Sequence, residues 1–157
     1  MGLYRSLYDS LKDQHLTLRQ IVSRVDEKRL MLHPAPGKWS IHDNITHLAK
    51  YQPVFLDRIR IILETNEPRI ERYSAETDPE FETWRKWDTN RLLDVLDEDR
   101  TLIFSFVQSL SESEFNRIGV HSRYGKLNLT QWTEFFLLHE AHHIYTIFQL
   151  ANDTTLK

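Results

Sequence analysis

The sequence is dominated by long stretches in which apolar residues recur every three or four positions. Its 4 glycines and 5 prolines gather between these stretches and leave them largely uninterrupted. Apolar residues at this spacing form a continuous stripe along one face of an α-helix. Helices of this kind bury their stripes against one another, and four of them fit between the breaks. The pattern therefore predicts an all-α fold, a four-helix bundle.

The four predicted helices are separated by segments that cannot continue a helix. Two prolines and a glycine in the segment His33–Gly37 end the first helix, which has the most continuous stripe. Pro53 lies inside the second helix, which we expect to continue through it with a kink. The predicted ranges are approximately Leu3–Lys28, Ser40–Ile62, Glu80–Leu110 and Asn128–Ala151.

Two of these helices begin with a capping motif. The Ser40 hydroxyl can accept a hydrogen bond from the Asp43 amide while the Asp43 carboxylate reaches back to the Ser40 backbone. Asn128 and Gln131 have the same spacing at the start of the fourth helix. The two starts are therefore defined by local chemistry.

The two long connections have different characters. Residues Asn66–Pro79 are charged and irregular, and a connection of this length favours a crossover between the second and third helices over a short hairpin. Residues Ser111–Asn128 are polar, and the weak alternation in Ile118–Leu127 predicts a short β-hairpin there.

Length, charge and cysteine content limit what the chain can do. With 157 residues it is predicted to form a single domain covering positions 1–157. A net charge of -3 without a lysine and arginine cluster argues against binding nucleic acid. Its apolar runs fall short of the roughly 20 residues that cross a bilayer, and its first residues lack the features of a secretory signal. We therefore expect a cytoplasmic protein that does not enter membranes.

The predicted fourth helix carries two histidines within its apolar stripe. His139 and His143 are four residues apart and share a face with Phe136 and Ile147. Two neutral imidazoles in a core each need a polar partner, and one metal ion serves both. Cysteine is absent, so the ligands of such an ion must be nitrogen or oxygen atoms. The pair therefore predicts a site for one divalent transition-metal ion.

A third ligand is needed, because catalytic sites usually combine three protein ligands with an open position. His47, at the edge of the stripe of the second helix, is one candidate among several. Asp43, one turn earlier, either orients the His47 ring or serves only as a helix cap. His15 lies in the stripe of the first helix and is interpreted as a hydrogen-bonded core residue rather than part of the site.

The remaining histidines and the tryptophans are given structural interpretations. The first group is interpreted as surface or packing residues and consists of His33, His42, His121 and His142. The second group is interpreted as core aromatic residues and consists of Trp39, Trp84, Trp87 and Trp132.

Two segments resemble the DinB-like superfamily. They read PAPGKWSIHDNITHLAKYQ at 34–52 and HEAHHIYTIFQL at 139–150. The hallmark of that family is a proline-rich loop leading into Trp-Ser-Ile at a helix start, a histidine near the second turn, and a late helix with two histidines four apart. Here it falls on Trp39–Ile41, His47, His139 and His143. The resemblance selects His47 as the third ligand.

The resemblance implies a four-helix bundle of unusual connectivity, often dimeric, whose three histidines bind zinc, nickel or iron. A homodimer is therefore expected. Similar proteins include bacillithiol S-transferases and mycothiol-dependent isomerases, and others are described as metal-dependent hydrolases. One departure is His33, because an arginine commonly precedes the proline loop in the family. If that position grips a substrate anion, the substrate of this chain differs.

Three functional hypotheses follow. The first is an enzyme that transfers a low-molecular-weight thiol, as cosubstrate, to a small electrophile, with the metal stabilising the thiolate. The second is a metal-dependent hydrolase, for which Asp43 and Glu140 are candidate general bases, although Glu140 is turned about 100° from His139 on the helix. The third is a non-catalytic, stress-associated metal-binding bundle that acts through dimer contacts.

Overall fold

The computed structural model describes residues 2–156, and four long helical segments account for most of that range. The predicted four-helix bundle is confirmed. None of the described helices combines the length and the apolar character that a bilayer crossing requires. The first segment is discontinuous, and the other three are helices α4 (Ile41–Glu64), α6 (Thr89–Gln108) and α8 (Leu129–Asn152).

The first segment is not the single helix Leu3–Lys28 that its stripe predicts. It consists of α1 (Arg5–Asp13), a 3₁₀ turn at Gln14–Leu16, α2 (Thr17–Val22) and a separate short helix, α3 (Glu27–Met31). Near the end of α1, the Leu11 carbonyl accepts a hydrogen bond from a distant arginine, Arg100, at 3.2 Å. Before α3, the Asp26 carboxylate accepts from the Arg29 amide at 2.8 Å and starts a new helix.

Helix α4 begins as its capping motif predicts. The Ser40 hydroxyl accepts from the Asp43 amide at 3.1 Å, and the Asp43 carboxylate accepts from the Ser40 amide at 2.9 Å. The helix continues through Pro53 to Glu64. Sixteen of its residues are buried, so it is the central element of the bundle.

The third predicted helix, Glu80–Leu110, is interrupted. The chain forms a short helix α5 (Phe81–Trp84), leaves the helical conformation, and starts α6 at Thr89. The Asp88 side chain accepts from the Arg91 amide at 3.0 Å and caps α6, which explains the new start. The preceding connection contains a strand, β1 (Arg69–Ile70), and a 3₁₀ turn at Ala75–Thr77.

The segment before the last helix contains the predicted hairpin. A short helix α7 (Glu112–Phe115) is followed by antiparallel strands β2 (Ile118–His121) and β3 (Gly125–Asn128). Strand β1 pairs with β2 in parallel, a pairing that the sequence analysis did not predict. Asn128 and Gln131 form the predicted capping box, with both hydrogen bonds at 2.9 Å.

Helix α4 packs between α6 and α8. It runs parallel to α6, since its first turn meets the first turn of α6 and Gln52 meets Arg100 farther along. It runs antiparallel to α8, since Asn44 meets His143 whereas the later Tyr51 meets the earlier Phe136. The segment 65–88 therefore returns the chain to the end of the bundle where α4 began.

The core has two apolar clusters with a polar layer between them. One cluster includes Leu11, Phe55 and Phe136, and the other includes Leu18, Ile45 and Leu96. Each of the four long segments contributes a buried polar side chain to this layer. These residues are His15, Gln52, Arg100 and Glu140.

Candidate metal centre

Helices α4 and α8 bring the three predicted ligands together. The Nε2 atoms of His47 and His139 lie 3.0 Å apart, and the ring centroids of His47 and His143 are 4.6 Å apart. One ligand nitrogen from each histidine lies within 4.8 Å of the others. Two imidazole nitrogens at ~2.1 Å from one ion are about 3.0 to 3.4 Å apart, so the observed spacing suits a shared ion. These three residues can hold a metal ion.

The orientation of each ring leaves Nε2 as the ligand atom. The Nδ1–H of His143 donates to the Asn44 side-chain oxygen at 2.8 Å, which leaves the Nε2 lone pair free. Among residues 2–156, the buried Nδ1 atoms of His47 and His139 have no hydrogen-bond partner, and the Nε2 atoms of these two rings face each other. Three nitrogen lone pairs can therefore converge on one point.

Burial keeps all three histidines neutral. It lowers the pKa of His47 to about 4. Burial, followed by the nearby His47, lowers the pKa of His139 to about 3 and that of His143 to about 2. Because only the neutral imidazole binds a metal, these nitrogens are available as ligands at neutral pH.

Asp43 does not orient His47, which answers the question that the sequence left open. Its carboxylate is occupied by the helix cap and by an ion pair with Arg85 at 2.6 Å. The residue that positions a candidate ligand is its neighbour Asn44, which contacts His143 across 99 positions of the sequence. Nothing local in the sequence identifies that contact.

The three histidines lie on the wall of a cavity of about 300 Å³. Trp39 and His121 also line it, a position that neither the core interpretation of Trp39 nor the surface or packing interpretation of His121 predicted. Trp39 directly precedes Ser40, the residue that caps α4, and its ring centroid lies 5.1 Å from that of His47. Strand β2 carries His121 to the same cavity. The other side chains that line it include Tyr51, Tyr73, Arg58, Arg72 and Glu76.

Glu76 lines the cavity, whereas Asp43 and Glu140, the two carboxylates that the sequence analysis named as candidate general bases, do not. Glu140 is fully buried in the polar layer, where it pairs with Arg100, and Asp43 is engaged in the cap. The irregular connection that holds Glu76 has no periodic pattern to predict its position. Tyr51 was also missed, although its place four residues after His47 on a helix puts both on one face.

The other histidines fit their structural interpretations. His15 is buried, with Nδ1 at 3.4 Å from Arg100 and Nε2 at 3.6 Å from an Asp97 carboxylate oxygen. His42 joins α4 to the start of α6 through Thr89, at 2.9 Å. His142 is exposed, one position before a candidate ligand.

Comparison with known proteins identifies the family. The model of the DinB superfamily matches residues 10–147, a range that includes all three histidines. The chain belongs to the DinB superfamily. A curated relative in Bacillus subtilis (strain 168), the uncharacterized protein YuaE, is 25% identical over 135 residues, which cover 76% of this chain and 82% of YuaE.

Two solved structures from Bacillus subtilis share the fold of this DinB-superfamily chain. One is YfiT, described as "a probable metal-dependent hydrolase with an unusual four-helix bundle topology". It aligns with a TM-score of 0.82 and 19% identity over 100% of this chain and 97% of YfiT. The other is the DinB-like protein YjoA, with a TM-score of 0.63 and 14% identity over 98% of this chain and 96% of YjoA. At these identities the likeness establishes the fold.

Proposed function

We propose that the protein is a metal-dependent enzyme that transfers a low-molecular-weight thiol to a small electrophile. The observation that carries the proposal is the convergence of three neutral histidines on the wall of an open cavity of about 300 Å³. A divalent ion held by neutral ligands keeps its full charge and lowers the pKa of a bound thiol or water. Zinc, nickel and iron all accept imidazole ligands.

The chain's own residues fit the role of a binding and orienting scaffold. With no cysteine in the sequence, the reactive sulfur comes from the cosubstrate. The rings of Trp39, Tyr51 and Tyr73 line the cavity beside the histidines and can exclude water from an apolar electrophile. The protein would then contribute positioning and charge stabilisation. A cavity of this size suits a small molecule.

A metal-dependent hydrolase is the second candidate, and Glu76 is the observation in its favour. Its carboxylate lines the cavity and could accept a proton from water. The description of YfiT points in the same direction. However, the Ser74 hydroxyl donates to this carboxylate and lowers its pKa, which makes Glu76 a weaker base. Thiol transfer needs no such base if a bound metal lowers the pKa of the thiol enough for its proton to leave to solvent water, so it ranks first.

The test combines metal analysis with a thiol assay. Purified protein is expected to contain one divalent ion per chain and to accelerate conjugation of a thiol with monochlorobimane, and a chelator should abolish the reaction. His143→Ala should lose both metal and activity. His142→Ala is the matched control, because this exposed neighbour does not belong to the cluster, and it should keep both.

The possible outcomes separate the hypotheses. An unchanged metal content in His143→Ala would refute the metal centre. A bound metal with ester hydrolysis but no thiol conjugation would support the hydrolase. A bound metal with neither activity would support the non-catalytic bundle, whose dimer contacts are then examined by light scattering.

A further inference from the structure

Arg58 is a buried cation on the cavity wall. Its residue surface is 8% exposed. Nη1 donates to the Tyr51 hydroxyl at 2.5 Å, and Nη2 donates to the Glu71 backbone carbonyl at 2.8 Å. Within residues 2–156 it forms no ion pair with an aspartate or glutamate. Removing a guanidinium from water is costly, and buried arginines usually offset that cost by pairing with an anion.

The surrounding cavity is also short of negative charge. Its wall carries two guanidinium groups, Arg58 and Arg72, and one carboxylate, Glu76. Glu76 is exposed and accepts its hydrogen bond from Ser74 rather than from either arginine. A divalent ion on the three histidines would add further positive charge. The cavity is therefore complementary to an anionic ligand.

Tyr51 adds a second donor beside Arg58. Its hydroxyl oxygen accepts from Arg58, and no acceptor for its own proton is found in the described range 2–156. Its ring lies 4.3 Å from the ring of His139, centroid to centroid, and 5.3 Å from the Arg58 guanidinium carbon. Tyr51 therefore links the arginine to the histidine cluster within one cavity. An anion between these groups could receive hydrogen bonds from both Arg58 and Tyr51.

We propose that Arg58 and Tyr51 form an anion subsite, and that the substrate or thiol cosubstrate carries a carboxylate that binds there. The planar fork of a guanidinium matches the two oxygens of a carboxylate. The subsite holds the carboxylate on the α4 side of the cavity, and the rest of the molecule extends toward the histidines. This inference rests on the proposed function, because it places the ligand in the same cavity.

The test compares two thiols that differ only in the carboxylate. Isothermal titration calorimetry measures binding of 3-mercaptopropionate and of its methyl ester to the zinc-loaded protein and to the chelator-treated protein. The wild type is expected to bind the acid about tenfold or more tightly than the ester. Arg58→Met should bring that ratio close to one, and Tyr51→Phe should lower it to an intermediate value.

Arg60→Met is the matched control. Arg60 is on the same helix, but it is exposed, pairs with Asp57 at 3.3 Å, and does not line the cavity. Its acid-to-ester ratio should equal that of the wild type. If Arg58→Met does not fold, Arg58→Lys is tested in its place. Lysine keeps the positive charge but lacks the planar guanidinium group, so it should lower the acid-to-ester ratio about threefold or more.

An acid-to-ester ratio near one in the wild type would overturn the subsite. A ratio that is unchanged in a folded Arg58 variant would do the same. Calorimetry measures binding without turnover. If the protein binds the acid more tightly than the ester but catalyses no thiol transfer, the result supports the subsite and refutes the proposed function. The ratio is also measured in metal-free protein, where Arg58 and Tyr51 should still favour the acid over the ester, so a failure of the metal centre can be distinguished from a failure of the subsite.

Discussion

Replacing Arg100 with methionine is expected to lower the free energy of unfolding by about 3–5 kcal/mol. Arg100 lies in the polar layer with 1% of its surface exposed. Its Nε donates to the Gln52 side-chain oxygen at 3.0 Å, its Nη1 donates to the Leu11 carbonyl at 3.2 Å, and its Nη2 donates to Glu140. Methionine fills similar space but offers none of these donors.

The magnitude follows from what the substitution leaves behind. Glu140 is 0% exposed and would keep one side-chain donor, the Gln14 amide, at 3.0 Å. Breaking a buried ion pair on one side costs about 3–5 kcal/mol, because the remaining charge is buried without its partner. Most domains are stable by only about 5–15 kcal/mol, so this substitution removes about 30–50% of a total of about 10 kcal/mol.

Urea unfolding followed by circular dichroism measures this cost in chelator-treated protein, so that no bound ion contributes to stability. The midpoint should fall while the slope of the transition is unchanged. The double variant Arg100→Met with Glu140→Gln should recover part of the loss, because the carboxylate is no longer charged. Arg91→Met, an exposed arginine on α6 that lies 3.7 Å from the Trp87 ring centroid, is the control and should cost about 1 kcal/mol or less. A cost below about 1 kcal/mol for Arg100→Met, or no recovery in the double variant, would refute the reasoning.

Three further predictions concern the metal centre and the helix that carries it. Asn44→Ala should weaken metal binding about 10–100-fold by freeing the His143 ring, and a chelator competition titration that gives wild-type affinity would contradict this. In metal-free protein, the pKa of His47 is lowered to about 4 and those of His139 and His143 are lowered further, so below pH 6.5 the unfolded chain binds more protons than the folded one. The contribution of these neutral rings to the free energy of unfolding should therefore be fully present above about pH 6.5 and should decline as the pH falls toward 4. A urea midpoint that is equal at about pH 7.5 and pH 5 would contradict the burial of these rings. Ser40→Ala should cost about 1 kcal/mol by removing the α4 cap, whereas an unchanged urea midpoint would show that packing alone fixes the helix start.

Local interactions made the starts of α4 and α8 predictable. Ser40 with Asp43, and Asn128 with Gln131, bond within three residues, so their partners are visible in the sequence. The breaks before α3 and α6 depend on similar caps at Asp26 and Asp88. In both places apolar residues continue at helical spacing across the break, and this spacing predicted one continuous helix where the structure has two.

The histidine cluster also has one part that could be predicted from local sequence and one part that could not. His139 and His143 are four residues apart on one helix, so any α8 that forms presents them together. His47 comes from an antiparallel helix, and the residues alone left it one candidate among several until the family resemblance selected it. Its distance of 3.0 Å from His139 is set by how α4 packs on α8.

The sequence by itself determined the helical class, two helix starts and a pair of histidines, because each depends on contacts within about one helical turn. Only the tertiary structure decided that Asn44 supports His143, that Arg58 and Glu76 reach the cavity, and that Arg100 meets Glu140. Apolar stripes specify which face of a helix is buried, but they do not specify which helix covers it or at what register. Contacts between distant residues are fixed only when the bundle assembles.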